Sequence, residues 1–202
     1  MTLILHDRIT RFAECAHKAL ELLSEFSGGQ LTPDDPNYHS IEYISWLNRI
    51  EKQLSSIRGE LQRHGSPHDL ENQSESVAVK ELFVLATLLY LERKSTQLVG
   101  PSSKTDGWVE DAFLILSRVE HCNKPFPLFI FGREARTDSR RLLILRIIDW
   151  TMKKANARSL ASLREMLVKL WVQDDLNVEG NADDQRNACF LLKFCNFVPC
   201  LL

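Results

Sequence analysis

A ten-residue stretch, Leu82–Leu91, is apolar except for Thr87 and the hydroxyl group of Tyr90. It lies within Ser76–Gln97, a segment without proline or glycine that predicts a helix. A helix that is apolar nearly all round belongs inside a bundle and not at its surface. The stretch is also far shorter than the ~20 apolar residues that a membrane span needs. The sequence therefore predicts a helix that other helices surround, and no membrane partner.

Other segments repeat apolar residues at steps of three and four, the pattern of one apolar helix face. Short polar or glycine- and proline-containing breaks separate them, including loops at Leu31–Asn37 and Gln173–Asp184. We predict one all-α domain over residues 1–202, a single bundle of about seven or eight helices. A subdomain break, if the chain has one, is expected in the polar linker at residues 65–75. The helices are predicted at Ile4–Phe26, Tyr38–Arg63, Ser76–Gln97, Trp108–Val119, Asp138–Lys154, Ser159–Trp171 and Ala188–Phe197.

The run Phe126–Phe131 is the ambiguous element of this sequence. Its six consecutive apolar residues fit a buried strand or part of a buried helix, and periodicity does not separate the two. Pro125 and Pro127 punctuate its start. The sequence leaves both alternatives open here.

Composition and cysteine usage narrow the class of protein. The net charge of −2 excludes a uniformly basic nucleic-acid wrapper, and 44% hydrophobic residues are typical of a globular chain. The apolar run at the N-terminus stops after three residues, too few for the core of a signal peptide. The five cysteines form no Cys-x-x-Cys pair. An odd count without a signal indicates free thiols in a reducing compartment, and the spacing is poor for zinc.

Motifs that carry chemistry are missing from the sequence. It has no glycine-rich phosphate loop and no Gly-x-Ser-x-Gly elbow. Each remaining candidate has a structural explanation that we prefer: solvated loop histidines, helix neighbours and solvated carboxylates. We therefore predict no catalytic, cofactor-binding or metal-binding residues, and no enzyme. The candidates are the pair His64 and His68, the neighbours His121 and Cys122, and the doublets Glu110–Asp111, Asp174–Asp175 and Asp183–Asp184.

A basic stretch runs from Arg133 to Lys169. It holds ten Lys or Arg against four Asp or Glu, a local balance of +6. Such a stretch can face phosphates. The cations are spread over two helices with deep apolar faces, however, so we favour a solvated surface over nucleic-acid contact.

Two motifs become informative when they are taken together. Ala86–Arg93 reads Ala-Thr-Leu-Leu-Tyr-Leu-Glu-Arg, and Pro127–Ala135 reads Pro-Leu-Phe-Ile-Phe-Gly-Arg-Glu-Ala. They are followed by Asp138–Arg141 and by Leu170-Trp171 with Asp174-Asp175. In this order they resemble the fungal-specific transcription factor regulatory domain, most strongly over residues 76–175. The resemblance implies an all-helical domain that lies C-terminal to a zinc binuclear cluster. Within the second motif, Gly132 would allow close helix approach, and Glu134 could pair with an arginine such as Arg141.

The chain departs from the whole-protein pattern of that family in one respect. The six-cysteine zinc cluster is absent, so we expect no direct DNA contact by that route and either the regulatory part of a longer protein or a shortened homologue. The resemblance implies a nuclear location, otherwise a cytoplasmic one. It also implies a small apolar ligand or a co-regulator protein as partner. Alternatives are a helical carrier of apolar ligands and a scaffold that forms a homodimer. Residues that could line an apolar pocket, or simply pack a core, are Leu82, Phe83, Leu89, Phe126, Phe129, Phe131 and Trp150.

Overall fold

A computed structural model of the chain describes residues 2–64, 71–99, 103–154 and 158–176, and side chains over 13–63, 77–95, 103–154 and 158–176. Within these ranges the chain forms seven α-helices and no β-strand, which confirms the predicted all-α fold. The predicted helix Ala188–Phe197 lies outside the described residues. The helices are α1 Thr2–Gly29, α2 Ile41–His64, α3 Glu71–Val99, α4 Lys104–Arg118, α5 Pro125–Glu134, α6 Asp138–Lys154 and α7 Arg158–Leu176.

The chain divides into two compact units, Met1–Ala112 and Phe113–Leu202, here called the N-terminal and C-terminal units. The division falls inside α4. The break predicted at 65–75 falls partly on residues outside the described ranges and stays a prediction, although α3 already begins at Glu71. Over the described ranges, no helix combines the length and apolarity that crossing a bilayer requires.

The N-terminal unit packs α1, α2 and α3 against one another. Its buried residues recur at the three- and four-residue steps of amphipathic helices. Phe26 joins the three helices, since its ring centroid lies 6.1 Å from that of Trp46 and 5.6 Å from that of Tyr90. The buried faces are Ala19, Leu22, Leu23 and Phe26 on α1, and Leu47, Ile50, Leu54, Ile57 and Leu61 on α2.

The centre of α3 is the apolar helix that the sequence predicts. Every residue from Leu82 to Glu92 is buried, so this segment has no solvated face. Thr87, near the middle of this segment, donates from Oγ1 to the carbonyl oxygen of Phe83 at 2.8 Å. Bonding back to the preceding turn is the usual way for a threonine to satisfy its hydroxyl group inside a helix.

The loop between α1 and α2 is built from turns, as predicted for Leu31–Asn37. The amide of Asp35 donates to the carbonyl of Thr32, and the Asp35 side chain accepts from the amide of Asn37 at 2.8 Å. Ser40 then caps α2, because its Oγ accepts the amide of Tyr43 at 3.1 Å. The helix therefore begins at Ile41, three residues later than the periodicity suggested.

The ambiguous run Phe126–Phe131 is helical and lies within the ten-residue α5. Pro125 occupies the first helical position, and Pro127 also falls in the first turn. Amides of a first turn have no partner within the helix, so two prolines cost no hydrogen bond there. Every residue from Pro125 to Gly132 is buried, which explains why the run shows no amphipathic period.

The C-terminal unit packs α5, α6 and α7 together. α6 has the predicted bounds, and α7 runs five residues beyond the predicted Trp171. The loop predicted at Gln173–Asp184 is thus wrong for its first four residues. Two acidic residues near a helix C-terminus oppose the helix dipole. The fixed cation of Arg141, which binds Asp175, offsets that cost.

Candidate functional site

Gly132 allows α7 to approach α5 closely. A Cβ atom at this position would lie 2.7 and 2.8 Å from the two δ-carbons of Leu167, distances that real Cβ atoms do not show. Leu167 is fully buried and therefore has little room to move. The close approach of helices that the sequence predicted for Gly132 is confirmed.

Trp171 uses this close approach to bind the end of α5. Its Nε1–H donates to the carbonyl oxygen of Gly132 at 2.9 Å, and the bond is buried. Gly132 is among the last four residues of α5, whose carbonyl groups lack partners within the helix. The same oxygen accepts the amide of Ala135 at 3.3 Å. A side chain of α7 thus satisfies part of the C-terminus of α5.

Arg141, in the first turn of α6, binds the carbonyl group of the residue that follows α5 and the end of α7. Its Nε donates to the carbonyl oxygen of Ala135 at 3.1 Å. Its two terminal nitrogens donate to the two carboxylate oxygens of Asp175 at 2.8 and 2.9 Å. The guanidinium carbon lies 5.6 Å from the centroid of the Trp171 ring, within cation–π range. We call Gly132, Ala135, Arg141, Trp171 and Asp175 the clasp.

The charges of Arg141 and Asp175 stabilise the contacts of the clasp. The hydrogen bonds from Arg141 lower the pKa of the Asp175 carboxyl group, and the same bonds raise the pKa of Arg141. The negative charges of Asp138 and Asp174 raise the pKa of Arg141 further. Arg141 binds the carboxylate of Asp175 with two bonds and lies 4.0 Å from that of Asp138, while the pairing with Glu134 that the sequence suggested stays a prediction. A planar guanidinium group that binds a carboxylate with two bonds also fixes its orientation.

Arg164 and Asp149 form a second ion pair between α6 and α7, at 2.9 Å from Nε to Oδ1. Asp149 lies late in α6 and Arg164 early in α7, whereas Arg141 lies early in α6 and Asp175 late in α7. The two helices therefore run antiparallel, with one arginine–aspartate pair near each end. Unlike the clasp, the second pair involves no residue of α5.

The residues predicted to line an apolar pocket are, with one exception, packed in the two cores. Leu82, Phe83 and Leu89 are buried in the N-terminal unit. The phenylalanines of α5 (Phe126, Phe129 and Phe131) are buried in the C-terminal unit. Trp150 is 45% exposed and lies on the outer face of α6. The apolar pocket itself stays a prediction.

A depression of about 440 Å³ lies on the surface of α2. Its lining residues have polar side chains and come from successive turns of one helix face. The lining residues include no apolar or aromatic side chain of the kind that binds an apolar ligand. The lining residues are Ser45, Asn48, Arg49, Lys52 and Gln53.

The chemically reactive candidates are engaged in structural contacts where the structure describes them. Cys122 is buried, and its amide donates to Thr151 Oγ1 at 2.9 Å. Its thiol lies 3.6 Å from the carbonyl oxygen of Lys124. Asp111 of the doublet on α4 binds the guanidinium group of Arg58. His68 and the doublet Asp183–Asp184 lie outside the described residues, as does the side chain of His64. Among the described residues, no group of three or more His, Cys, Asp or Glu could hold a metal ion.

The comparison of the whole sequence with known families decides its membership. The fungal specific transcription factor domain matches residues 13–190. The chain belongs to this family. Membership supports a regulatory role for this domain within a transcription factor.

A relative of the domain is transcription factor iacI of Pestalotiopsis fici. The two are 37% identical over 129 residues, which is 64% of this chain and 33% of the relative. The matched part thus spans about a third of the length of iacI. No solved structure matches the domain significantly.

The sequence motifs contain all five residues of the clasp but do not show how they pair. Gly132, Arg141, Trp171 and Asp175 all lie in motifs on which the resemblance rests. The structure brings these motifs together at one point, although Gly132 and Trp171 are 39 residues apart in sequence. The sequence predicts the doublet Asp174–Asp175 as solvated charge, whereas the structure places Asp175 against Arg141. The spacing could have indicated this contact, because Asp175 lies four residues after Trp171 and therefore one helical turn further on.

Proposed function

We propose that this domain regulates a fungal transcription factor by switching the packing of the end of α7, and that a co-regulator protein or a small apolar ligand biases the switch. The clasp is the observation that carries the proposal. It joins the family's motif residues from three helices, and none of its polar contacts has the arrangement of a catalytic group. Residues that meet in one structural contact rather than in a reactive cleft support regulation over catalysis.

The clasp has the properties of an element with two arrangements. The first turns of α7 are fixed by Leu160, Leu163 and Leu167, which are fully buried. The last turn depends on polar contacts, and the Asp175 side chain is 61% exposed. A binder that prefers the open clasp would shift the population by its difference in affinity for the two forms. Opening of the Arg141–Asp175 pair alone requires no unfolding of the buried part of the helix, which extends to Trp171.

The remaining features of the proposal follow from the sequence and the family. The five cysteines contain no Cys-x-x-Cys pair, so DNA contact through a zinc binuclear cluster is not proposed for this chain. A regulatory role in transcription implies a nuclear location. The domain is proposed to act without cofactor and without catalysis, through its contacts with other molecules.

A reporter experiment tests this function. The full chain is fused to an unrelated DNA-binding domain in a fungal host, and reporter output is compared between the wild type, Arg141→Lys and Asp175→Asn. Lysine keeps the charge but cannot form the two parallel bonds to Asp175. Both variants are expected to change the output at equal protein level.

The second ion pair supplies a matched control for that experiment. Arg164→Lys changes an arginine–aspartate pair between the same two helices but outside the clasp, so the output should stay at the wild-type level. If the fused chain has no effect on the reporter, or if all three variants behave alike, the proposed function is wrong. Native mass spectrometry of the chain purified from that host separates the two effectors, because a retained apolar molecule indicates a ligand.

A further inference from the structure

The outer face of α6 carries an exposed ridge of apolar and basic side chains. Leu142, Arg146, Trp150 and Lys153 follow one another at steps of four, four and three. At 3.6 residues per turn they fall within an arc of about 80° of the helix surface. Leu142 is 65% and Trp150 45% exposed, and Lys153 Nζ lies 5.5 Å from the centroid of the Trp150 ring. We call these four residues the α6 ridge.

The end of α7 adds apolar surface beside the ridge. Val172 is 52% and Leu176 79% exposed, and their spacing of four places them on one side of the helix. Leu142 follows Arg141 in sequence, and Leu176 follows Asp175. The two exposed leucines therefore flank the same ion pair. Large apolar groups gathered on one surface are typical of an interaction site.

The charge around this surface is basic. Among the residues that the structure describes, the cations of the ridge and those beside it form no ion pair. Glu165 is an exposed carboxylate on the same side of α7. The net positive surface favours an occupant that is acidic as well as apolar. The cations are Arg146, Lys153, Lys154, Arg158 and Lys169.

The chain itself supplies a segment of that chemistry immediately after α7. Residues 177–187 contain Glu179, Asp183 and Asp184 against one cation, Arg186. Residues 188–198 are apolar apart from Lys193 and Asn196. The segment lies outside the described residues, and it leaves the described part at Leu176, at the edge of the apolar surface. Eight residues from Leu176 to Asp184 reach up to about 28 Å, roughly the length of α6.

We propose that residues 178–198 of this chain dock on the α6 ridge and the exposed end of α7. Asp183 and Asp184 would lie near Lys153 and Lys154, and the apolar residues that follow would cover Leu142 and Trp150. Charge complementarity, sequence order and reach together favour this segment over an unrelated partner. The inference goes beyond the proposed function, since the docking would hold whether or not the clasp switches.

Cross-linking of the full chain tests the charged half of the contact. A zero-length carbodiimide reagent joins carboxylates to amines only when they touch, and peptide mapping of the monomer band identifies the pairs. Cross-links from Asp183 or Asp184 to Lys153 or Lys154 are expected. They should disappear in D183N/D184N and persist in the control D34N/D106N, which removes two exposed carboxylates of the N-terminal unit.

Fluorescence quenching by acrylamide tests the apolar half. The contribution of Trp150 is obtained by subtracting the signal of Trp150→Phe. It should be shielded in the full chain and become several-fold more accessible in F190S/F194S. Cross-links found only in a dimer band would show that the segment binds a second copy and would overturn docking within one chain. Absence of these cross-links with unchanged quenching would overturn the proposal altogether and leave the surface to an external partner.

Discussion

The indole Nε1–H of Trp171 lies 2.9 Å from the carbonyl oxygen of Gly132, so a side chain of α7 binds the last turn of α5. The carbonyl group of Ala135, the residue that follows α5, accepts the Nε–H of Arg141 from α6. A ten-residue helix has few internal hydrogen bonds in proportion to its unpaired ends. The two neighbouring helices supply the partners that α5 cannot provide for itself.

Replacing Trp171 by Phe should lower the free energy of unfolding by about 1 kcal/mol, the net value of one hydrogen bond. The loss stays near the lower limit because the Gly132 oxygen keeps the amide of Ala135 as a donor. Thermal unfolding followed by circular dichroism measures the change. Trp171→Ala should lose several times more, since it also removes the buried ring. Equal losses in the two variants would contradict this account.

Gly132→Ala should destabilise the chain by about 1–3 kcal/mol, because the added methyl group overlaps the buried Leu167 side chain. Helix propensity alone would give the opposite sign, a gain of about 1 kcal/mol. Gly107→Ala is the matched control, since a Cβ atom there meets nothing within 4 Å in α4. Chemical denaturation should show a small gain for Gly107→Ala and a loss for Gly132→Ala. Stabilisation by both substitutions would show that Leu167 relaxes freely.

The ion pair of the clasp should make stability depend on pH in the acid range. Arg141 lowers the pKa of Asp175 in the folded chain, so the contribution is present above the ordinary carboxyl pKa and is lost as pH falls through the lowered value. The melting temperature of the wild type should exceed that of Asp175→Asn at neutral pH. The difference should shrink once the pH drops below about 4, the ordinary carboxyl value. A difference that does not change with pH would exclude the ion pair as its source.

Thr151→Val should cost about 1–3 kcal/mol, because it leaves the buried amide of Cys122 without its side-chain acceptor. Thr151 Oγ1 accepts this amide at 2.9 Å and donates to the carbonyl oxygen of Ile147 at 2.7 Å. Valine has the same shape but can neither accept nor donate a hydrogen bond. Thr151→Ser keeps the oxygen and should retain most of the stability in denaturant titrations. If serine costs as much as valine, the hydrogen bond to the Cys122 amide is not the main contribution of Thr151 to stability.

Cys15 should react slowly with iodoacetamide at neutral pH. Burial raises the pKa of its thiol, and the negative charge and hydrogen bond of Glu60 raise it further. Glu60→Gln should lower that pKa and speed alkylation, because only the thiolate attacks the reagent. Peptide mapping by mass spectrometry follows the modified fraction with time. Glu21→Gln, on the exposed side of α1, should leave the rate unchanged.

The sequence predicted the all-α fold because most helices have a one-sided apolar stripe, which is a local property. It did not resolve Phe126–Phe131, since a segment buried on every side has no period to detect. The two prolines at its start were the better guide, because they fit a first helical turn. The end of α7 was missed for a different reason. Asp175 is bound by Arg141, which lies 34 residues away in sequence. The composition around Asp175 cannot predict such a distant contact.

The candidate site shows the same limit. The motifs named the residues of the clasp, and Gly132 was assigned its role in close packing. The pairing of Arg141 with Asp175 was not predicted, because the two residues are 34 positions apart in sequence and only the antiparallel packing of α6 and α7 brings them within 3 Å. Helix pairing, and not sequence distance, decides which carboxylate an arginine reaches.

The division of the chain inside α4 affects how the two halves can be produced separately. A fragment ending at Ala112 would keep the buried Val109 but cut the helix before the buried Phe113 and Leu116. Each fragment would then expose a frayed stub with apolar groups, which invites aggregation during expression. Overlapping pieces that both retain Lys104–Arg118 are the sensible starting point for isolating either half.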